Sequence, residues 1–173
     1  MKPLYVGVAA VTLIAVVVVV NLAVGTKSTP SAPPSPAKQP TIDLRSIQSS
    51  QQYAKGQQLF QSVCTLCHME HGEGQPGTVP SLHGAPIATG DANAFARILL
   101  HGMEGPVEVK GVKYEGIMPP ATFDSDEDLA AVITFVRNSW GNASGAVTPD
   151  LIAKVKSETQ GRQKAWTAPE LGK

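Results

Sequence analysis

Cys64-Thr65-Leu66-Cys67-His68 (CTLCH) holds the only two cysteines in 173 residues, and its reading decides what the rest of the chain is built around. A separation of three puts both sulfurs on one side of a single helical turn, with an imidazole directly after them. Three chemistries use such a string. A zinc site could draw on Cys64, Cys67, His68 and His71, but structural zinc takes its second ligand pair from a separate segment. A thioredoxin-like dithiol needs a strand-helix-strand unit beside it, and no such alternation is visible.

The third chemistry is covalent haem attachment: the two thiols add to the porphyrin vinyl groups and the adjoining imidazole ligates the iron. It accounts for both sulfurs at once and leaves none for a disulfide. Composition agrees, because only four Phe, three Tyr and two Trp are present to fill a core that a flat cofactor could occupy. Haem c on Cys64 and Cys67, with His68 as one axial ligand, is therefore the expected prosthetic group. For the opposite axial position the chain offers Met118, Met103, His101 and His83. Met69 and His71 stand too close to His68 to reach that face. Met118 is the expected ligand, since Gly116 permits a tight approach and Pro119 with Pro120 stiffens the strap that holds it. Met103, between Gly102 and Gly105, is the reserve.

Moving toward the N-terminus, Leu4 to Val24 runs twenty-one residues without a charge, roughly 31 Å as a helix and enough to cross a hydrocarbon core. Residues 1–25 are read as a transmembrane anchor, with a cleaved signal peptide as the alternative. A Pro/Ser-rich linker follows over residues 26–48. Residues 49–141 form the expected domain. Ser49 or Ser50 caps a helix running to about Val63, Asp91 caps a second that stops at Gly102, and Ser125 caps a third reaching Gly141. Residues 69–90 read as a long loop, and 103–124 as irregular chain or a short hairpin ending in Gly116-Ile117-Met118-Pro119-Pro120. Residues 142–173 form an extension with a short helix capped by Thr148, and Trp166 and Leu171 can dock it. The plan is all-α with long wrapping loops.

Formal net charge is zero over the whole chain, but residues 55–140 carry five basic against ten acidic side chains. That excess argues against nucleic acid and for a partner with a basic docking face.

Residues 50 to 141 resemble a class I monohaem cytochrome c domain. The matching stretches are GQQLFQSVCTLCH, VPSLHGA, the strap YEGIMPP and the closing helix DEDLAAVITFVRNSW. The resemblance implies a first helix crossing the last, with Gly56 and Phe60 against Leu129, Val132 and Phe135. It implies His68 as proximal ligand, Met118 as distal ligand, and Pro80 as the residue whose carbonyl accepts the His68 ring N–H. Tyr114, Arg97 and Trp140 are candidate partners for the haem propionates or its edge. Where the mitochondrial pattern carries a lysine ring this chain is acidic, which points to different partners.

With both axial positions filled, the expected role is a single-electron carrier and not an enzyme. It would work on the periplasmic or outer face of a bacterial membrane, without a small-molecule substrate. Electrons would pass from a quinol-oxidising complex or dehydrogenase to a terminal oxidase, with the chain a subunit of a respiratory complex. The alternative is a haem protein with a labile distal ligand, acting as a small-ligand sensor or peroxidase.

Overall fold

The structure is a computed structural model that describes residues 41–172. The apolar segment Leu4–Val24 and the proline-rich stretch to residue 40 lie outside the described residues. Among those described, no helix is long and apolar enough to cross a membrane.

Two helices form the frame. α2 (Gln51–Val63) starts where the Ser50 hydroxyl accepts the Tyr53 N–H, and α6 (Asp126–Arg137) starts where Ser125 accepts that of Asp128. Three carboxylates in the first turn of α6 suit the positive end of its dipole. α6 is buried without a break from Asp128 to Arg137, so it is the core helix. The two cross at Gly56, where a Cβ would come 2.1 Å from the Ala131 carbonyl oxygen; only glycine allows that approach. Phe60, fully buried, then stacks obliquely on Phe135 and Trp140 with ring centres 5.4 and 5.1 Å apart. Lys55 and Asp128 pair across the same crossing.

Several expectations change in detail. The linker expected to run through residue 48 instead contains α1 (Leu44–Gln48), capped by Asp43 and tied to the core by Gln48 Nε2 donating to the Asn138 carbonyl at 2.7 Å. The Cys-containing turn is α3 (Thr65–His68). The loop expected over 69–90 contains α4 (Pro86–Thr89), with Pro86 preset for the first helical position. α5 (Ala92–His101) matches its expected limits, from the Asp91 cap to Gly102. α6 ends three residues earlier than expected. The side chains of Asn138 and Ser139 donate back to the carbonyls of Thr134 and Phe135, and Trp140 turns left-handed at φ 53°.

The fold is mainly helical but not wholly so. β1 (Met103–Val109) and β2 (Val112–Met118) form an antiparallel hairpin with Met103 opposite Met118. Lys110 and Gly111 both take positive φ at its tip, the turn geometry that matches strand twist. Val107, Val109 and Tyr114 supply β-branched and aromatic packing, a period hidden in the sequence by glycine, proline and charge between them. α7 (Pro149–Glu158), capped by Thr148, buries Ile152 and Val155. Beyond it the chain returns to β1: the Trp166 N–H donates to the Gly102 carbonyl and the Glu104 N–H to that of Trp166, at 3.0 and 2.8 Å.

Candidate functional site

α2, α3, α4, α5, the hairpin and α6 enclose one cleft. Its lining is dominated by apolar side chains such as Phe60, Leu82, Phe95, Leu99, Val132 and Val136, and it contains Cys64, Cys67, His68, Pro80, Tyr114, Met103 and Met118. The five residues singled out from the sequence as haem-binding thus share one wall system. Sequence reasoning placed Met103 in reserve; the ladder sets it beside Met118 on the same cleft. The other candidates face elsewhere. His83 stacks on Trp140 with ring centres 5.5 Å apart and its Nε2 contacts the His71 carbonyl. His101 Nε2 meets the Thr159 hydroxyl at 2.8 Å. Arg97 pairs with Glu158 at 3.0 Å and leans toward the Trp166 ring. Neither Arg97 nor Trp140 lines the cleft, whereas Tyr114 does.

Each wall depends on one glycine. On the His68 side, Gly74 at φ 68° donates its N–H to the His68 carbonyl at 3.0 Å. A Cβ on Gly74 would come 2.4 Å from the Val79 carbonyl oxygen and 2.7 Å from that of Pro80, so glycine lets the loop bring Pro80 back over the imidazole. On the Met118 side, Gly102 at φ 80° would place a Cβ 2.6 Å from the Met118 carbonyl oxygen. The Ala121 N–H, bonded to the Leu99 carbonyl at 2.8 Å, closes the strap. Gly102 was read in the sequence only as a helix stop, and Gly74 only as part of a glycine-rich loop; neither signalled a close approach.

Electrostatics here follow from burial. Burial, with the neighbouring Cys67 sulfur adding a little, pushes the Cys64 thiol up to about 11. Burial also lowers the His68 pKa, and the Pro80 carbonyl partly opposes this. That carbonyl contact stops short of a well-formed hydrogen bond, and His68 Nδ1 is buried without a partner. A buried ring nitrogen left unsatisfied is rare and calls for an explanation.

A haem meets the demands of this cleft. Its vinyl groups would take up two otherwise free thiols, its flat face would suit the apolar walls, and an iron and the nearby Pro80 carbonyl would give the imidazole nitrogens partners. Zinc does not fit. No group of three or more His, Cys, Asp or Glu side chains among the described residues could hold a metal ion, and His71 is exposed. A thioredoxin-like unit is also absent, since the sheet among the described residues is a single antiparallel hairpin.

Comparison with known proteins gives the same answer. The family model for cytochrome c matches residues 53–140. Cytochrome c-552 of Thermus thermophilus is 37% identical over 94 residues, covering 52% of this chain and 71% of that protein. The cytochrome c subunit of alcohol dehydrogenase (quinone) from Gluconobacter oxydans is 28% identical over 117 residues, and the fructose dehydrogenase cytochrome subunit of Gluconobacter japonicus 31% over 111; each match covers 59% of this chain but only 22% of the relative. Domain match, relatives and cleft agree: the chain belongs to the cytochrome c family and carries one haem c bound covalently through Cys64 and Cys67.

Proposed function

We propose that this chain is a single-electron carrier whose haem iron is ligated by His68 and Met118, with the Pro80 carbonyl accepting the His68 ring N–H. The observation that carries the reading is the placement of an imidazole and a thioether on one apolar cleft, each on a wall braced by a close-approach glycine. Bound haem supplies the one-electron iron(III)/iron(II) couple. The residues supply the rest. His68 and Met118 fill both axial positions, so no open face remains for a substrate, and the chain acts as a carrier and not as an enzyme. A thioether ligand and an apolar wrap both favour the reduced state. Cys67 is exposed while Cys64 is half-buried, which puts one edge of the group at the surface, where an electron enters or leaves.

In this reading the donor is a dehydrogenase or quinol-oxidising complex and the acceptor a terminal oxidase; relatives that are dehydrogenase cytochrome subunits support a dehydrogenase as partner. Leu4–Val24 anchors the chain in a bacterial inner membrane, and residues 26–40 tether the haem domain on the periplasmic or outer face, as a fixed subunit of a respiratory complex. The same anchor makes the membrane a partner; nucleic acid is not one.

Absorption spectroscopy tests the ligation. The oxidised holoprotein is expected to show the weak band at the near-infrared edge that marks a methionine–iron bond, and Met118→Ala to abolish it. Survival of the band in that variant would remove Met118 from the assignment. Ready binding of carbon monoxide by the reduced wild type would instead support the labile-ligand alternative, a small-ligand sensor or peroxidase.

A further inference from the structure

Arg137, in the last turn of α6, is 6% exposed. No carboxylate lies within ion-pairing distance of it among the described residues. Its partners are backbone carbonyls. Nη1 donates to Ala88 at 3.3 Å and to Gly90 at 2.8 Å, and Nη2 to Ser144 at 2.5 Å. Nε is buried with no partner. A guanidinium stays protonated at any ordinary pH, so this is a permanent positive charge inside the protein. Taking an ion out of water costs several kcal/mol, and carbonyl dipoles offset only part of that. A neutral donor could stitch the same three carbonyls together without that cost. The charge itself therefore needs a use.

Its position supplies one. Ala88, whose carbonyl Arg137 grips, and Val136, its neighbour in the chain, both line the haem cleft. The charge thus lies one residue layer behind the cleft wall. The lining contributed here by α4 and α6 is Ile87, Ala88, Val132 and Val136, all apolar, so the field toward the cleft is screened far less than it would be through water.

We propose that Arg137 raises the reduction potential of the haem: it is a fixed interior cation behind the cleft wall that favours the ferrous state, while its bonds to Ala88 and Gly90 hold α4 against α6 and its bond to Ser144 ties down the chain after α6. When a reduced protein donor passes one electron to iron(III), the centre loses one unit of positive charge, and a nearby fixed cation favours that change. The oxidised acceptor later takes the same electron, and nothing else is consumed. Asp91, next to Gly90 in the chain, is the carboxylate whose charge reaches Arg137; being exposed, it opposes the field weakly. The proposal rests on haem attachment and on the carrier reading, and is independent of which thioether ligates.

Redox titration of the holoprotein tests it. Arg137→Gln keeps hydrogen-bond donors but removes the charge. The expected result is about a tenfold shift of the equilibrium toward the oxidised form, a midpoint fall of about 59 mV. Arg137→Lys, titrated at about pH 6 so that a buried ammonium holds its proton, is expected to stay within about twofold of wild type. Asp91→Asn preserves the α5 cap and should move the midpoint the other way by less. An Arg137→Gln midpoint within about twofold of wild type, or equal effects of the Gln and Lys variants, would overturn the proposal. So would a shift accompanied by loss of the methionine–iron band, because changed ligation and not charge would then be the cause. If Arg137→Gln yields no holoprotein, Arg137→Met, neutral and of similar length, is read by the same criterion: a fall of about tenfold supports the proposal, and a midpoint within about twofold of wild type ends it. Failure of the carrier reading shows separately, as carbon monoxide binding by the reduced wild type.

Discussion

On the His68 side of the cleft most of the fixing contacts come from nearby chain. Gly74 bonds to the His68 carbonyl, Gln75 bridges to Val79, and Leu82 returns to the Gly72 carbonyl; from far away come Asn142, donating to the Leu82 carbonyl, and the Trp140 ring, stacked on His83. The Met118 side is assembled the opposite way. Met118 lies opposite Met103 at the open end of the hairpin, Ala121 is held by Leu99, and Gly102 and Glu104 are held by Trp166. Contacts between distant residues carry the entropy of closing longer loops. Segments held at the surface by few of them open at lower free energy than a packed core. The comparison teaches that a carrier of this kind grips its cofactor with a locally determined wall and adjusts it with a tertiary one, so damage to each wall should read out differently.

The severest test is Gly74→Ala. A Cβ there meets two backbone carbonyls that cannot step aside, at a φ that alanine resists. The expected loss is about 3 kcal/mol or more, measured as the urea midpoint of the holoprotein, with a lower yield of haem-loaded protein. A stability change under about 1 kcal/mol would mean that the loop has freedom the crossing geometry denies. Next comes Gly102→Ala on the other wall, where a single carbonyl, that of Met118, stands in the way. About 2 kcal/mol is expected here, and the more telling sign is selective: the covalent haem mass is retained while the methionine–iron band weakens or disappears. If both variants lost attached haem equally, the division between the walls would not exist.

The same division explains how much could be read from the chain beforehand. Cys64, Cys67 and His68 were legible because their geometry is one helical turn, set by spacing alone. The helix caps Ser50, Asp91, Ser125 and Thr148 were legible for the same local reason. Gly56 at the helix crossing followed from the family resemblance and is where it was expected. The hairpin's full length was not legible, since Glu104, Gly105, Pro106 and Glu108 mask the strand period and the pairing of Met103 with Met118 depends on chain fifteen residues away. Nor could the use of Trp166 as a cover for the β1 edge be read, because nothing local to it specifies a partner sixty residues earlier. That Arg137 is interior could not be read either, because only packing buries it.

Met69 sharpens the comparison at smaller scale. It follows His68 directly at φ 62° and ψ 170°, a region that side chains other than glycine avoid at a cost of about 1–3 kcal/mol. Met69→Gly relieves that strain while giving up partial burial and loosening the unfolded chain. A net gain of about 1 kcal/mol is expected, read as a higher urea midpoint, with the spectrum unchanged. A loss would show that the Met69 side chain contributes more to the wall than its strained backbone costs.

The smallest effect lies on the outer side of α5, where the tail is fastened. His101 meets the Thr159 hydroxyl, and its pKa is lowered by burial first and by the positive charge of Arg162 second. A histidine with a depressed folded pKa binds its proton more readily when unfolded. The folded state therefore gains stability above the unfolded value of about 6.5 and loses it progressively as pH falls below that value. Because the ring is only part-buried, the loss is discounted to about half a kcal/mol at most. Thermal unfolding of the holoprotein at pH 7.5 and pH 5.5 is expected to show a slightly larger drop for wild type than for His101→Gln, which keeps a hydrogen-bonding group at Thr159 without a titrating one. Identical drops would place the pH sensitivity elsewhere. A larger drop for the glutamine variant would reverse the sign, and His101 would then have to be gaining a proton on folding, against the charge of the arginine beside it.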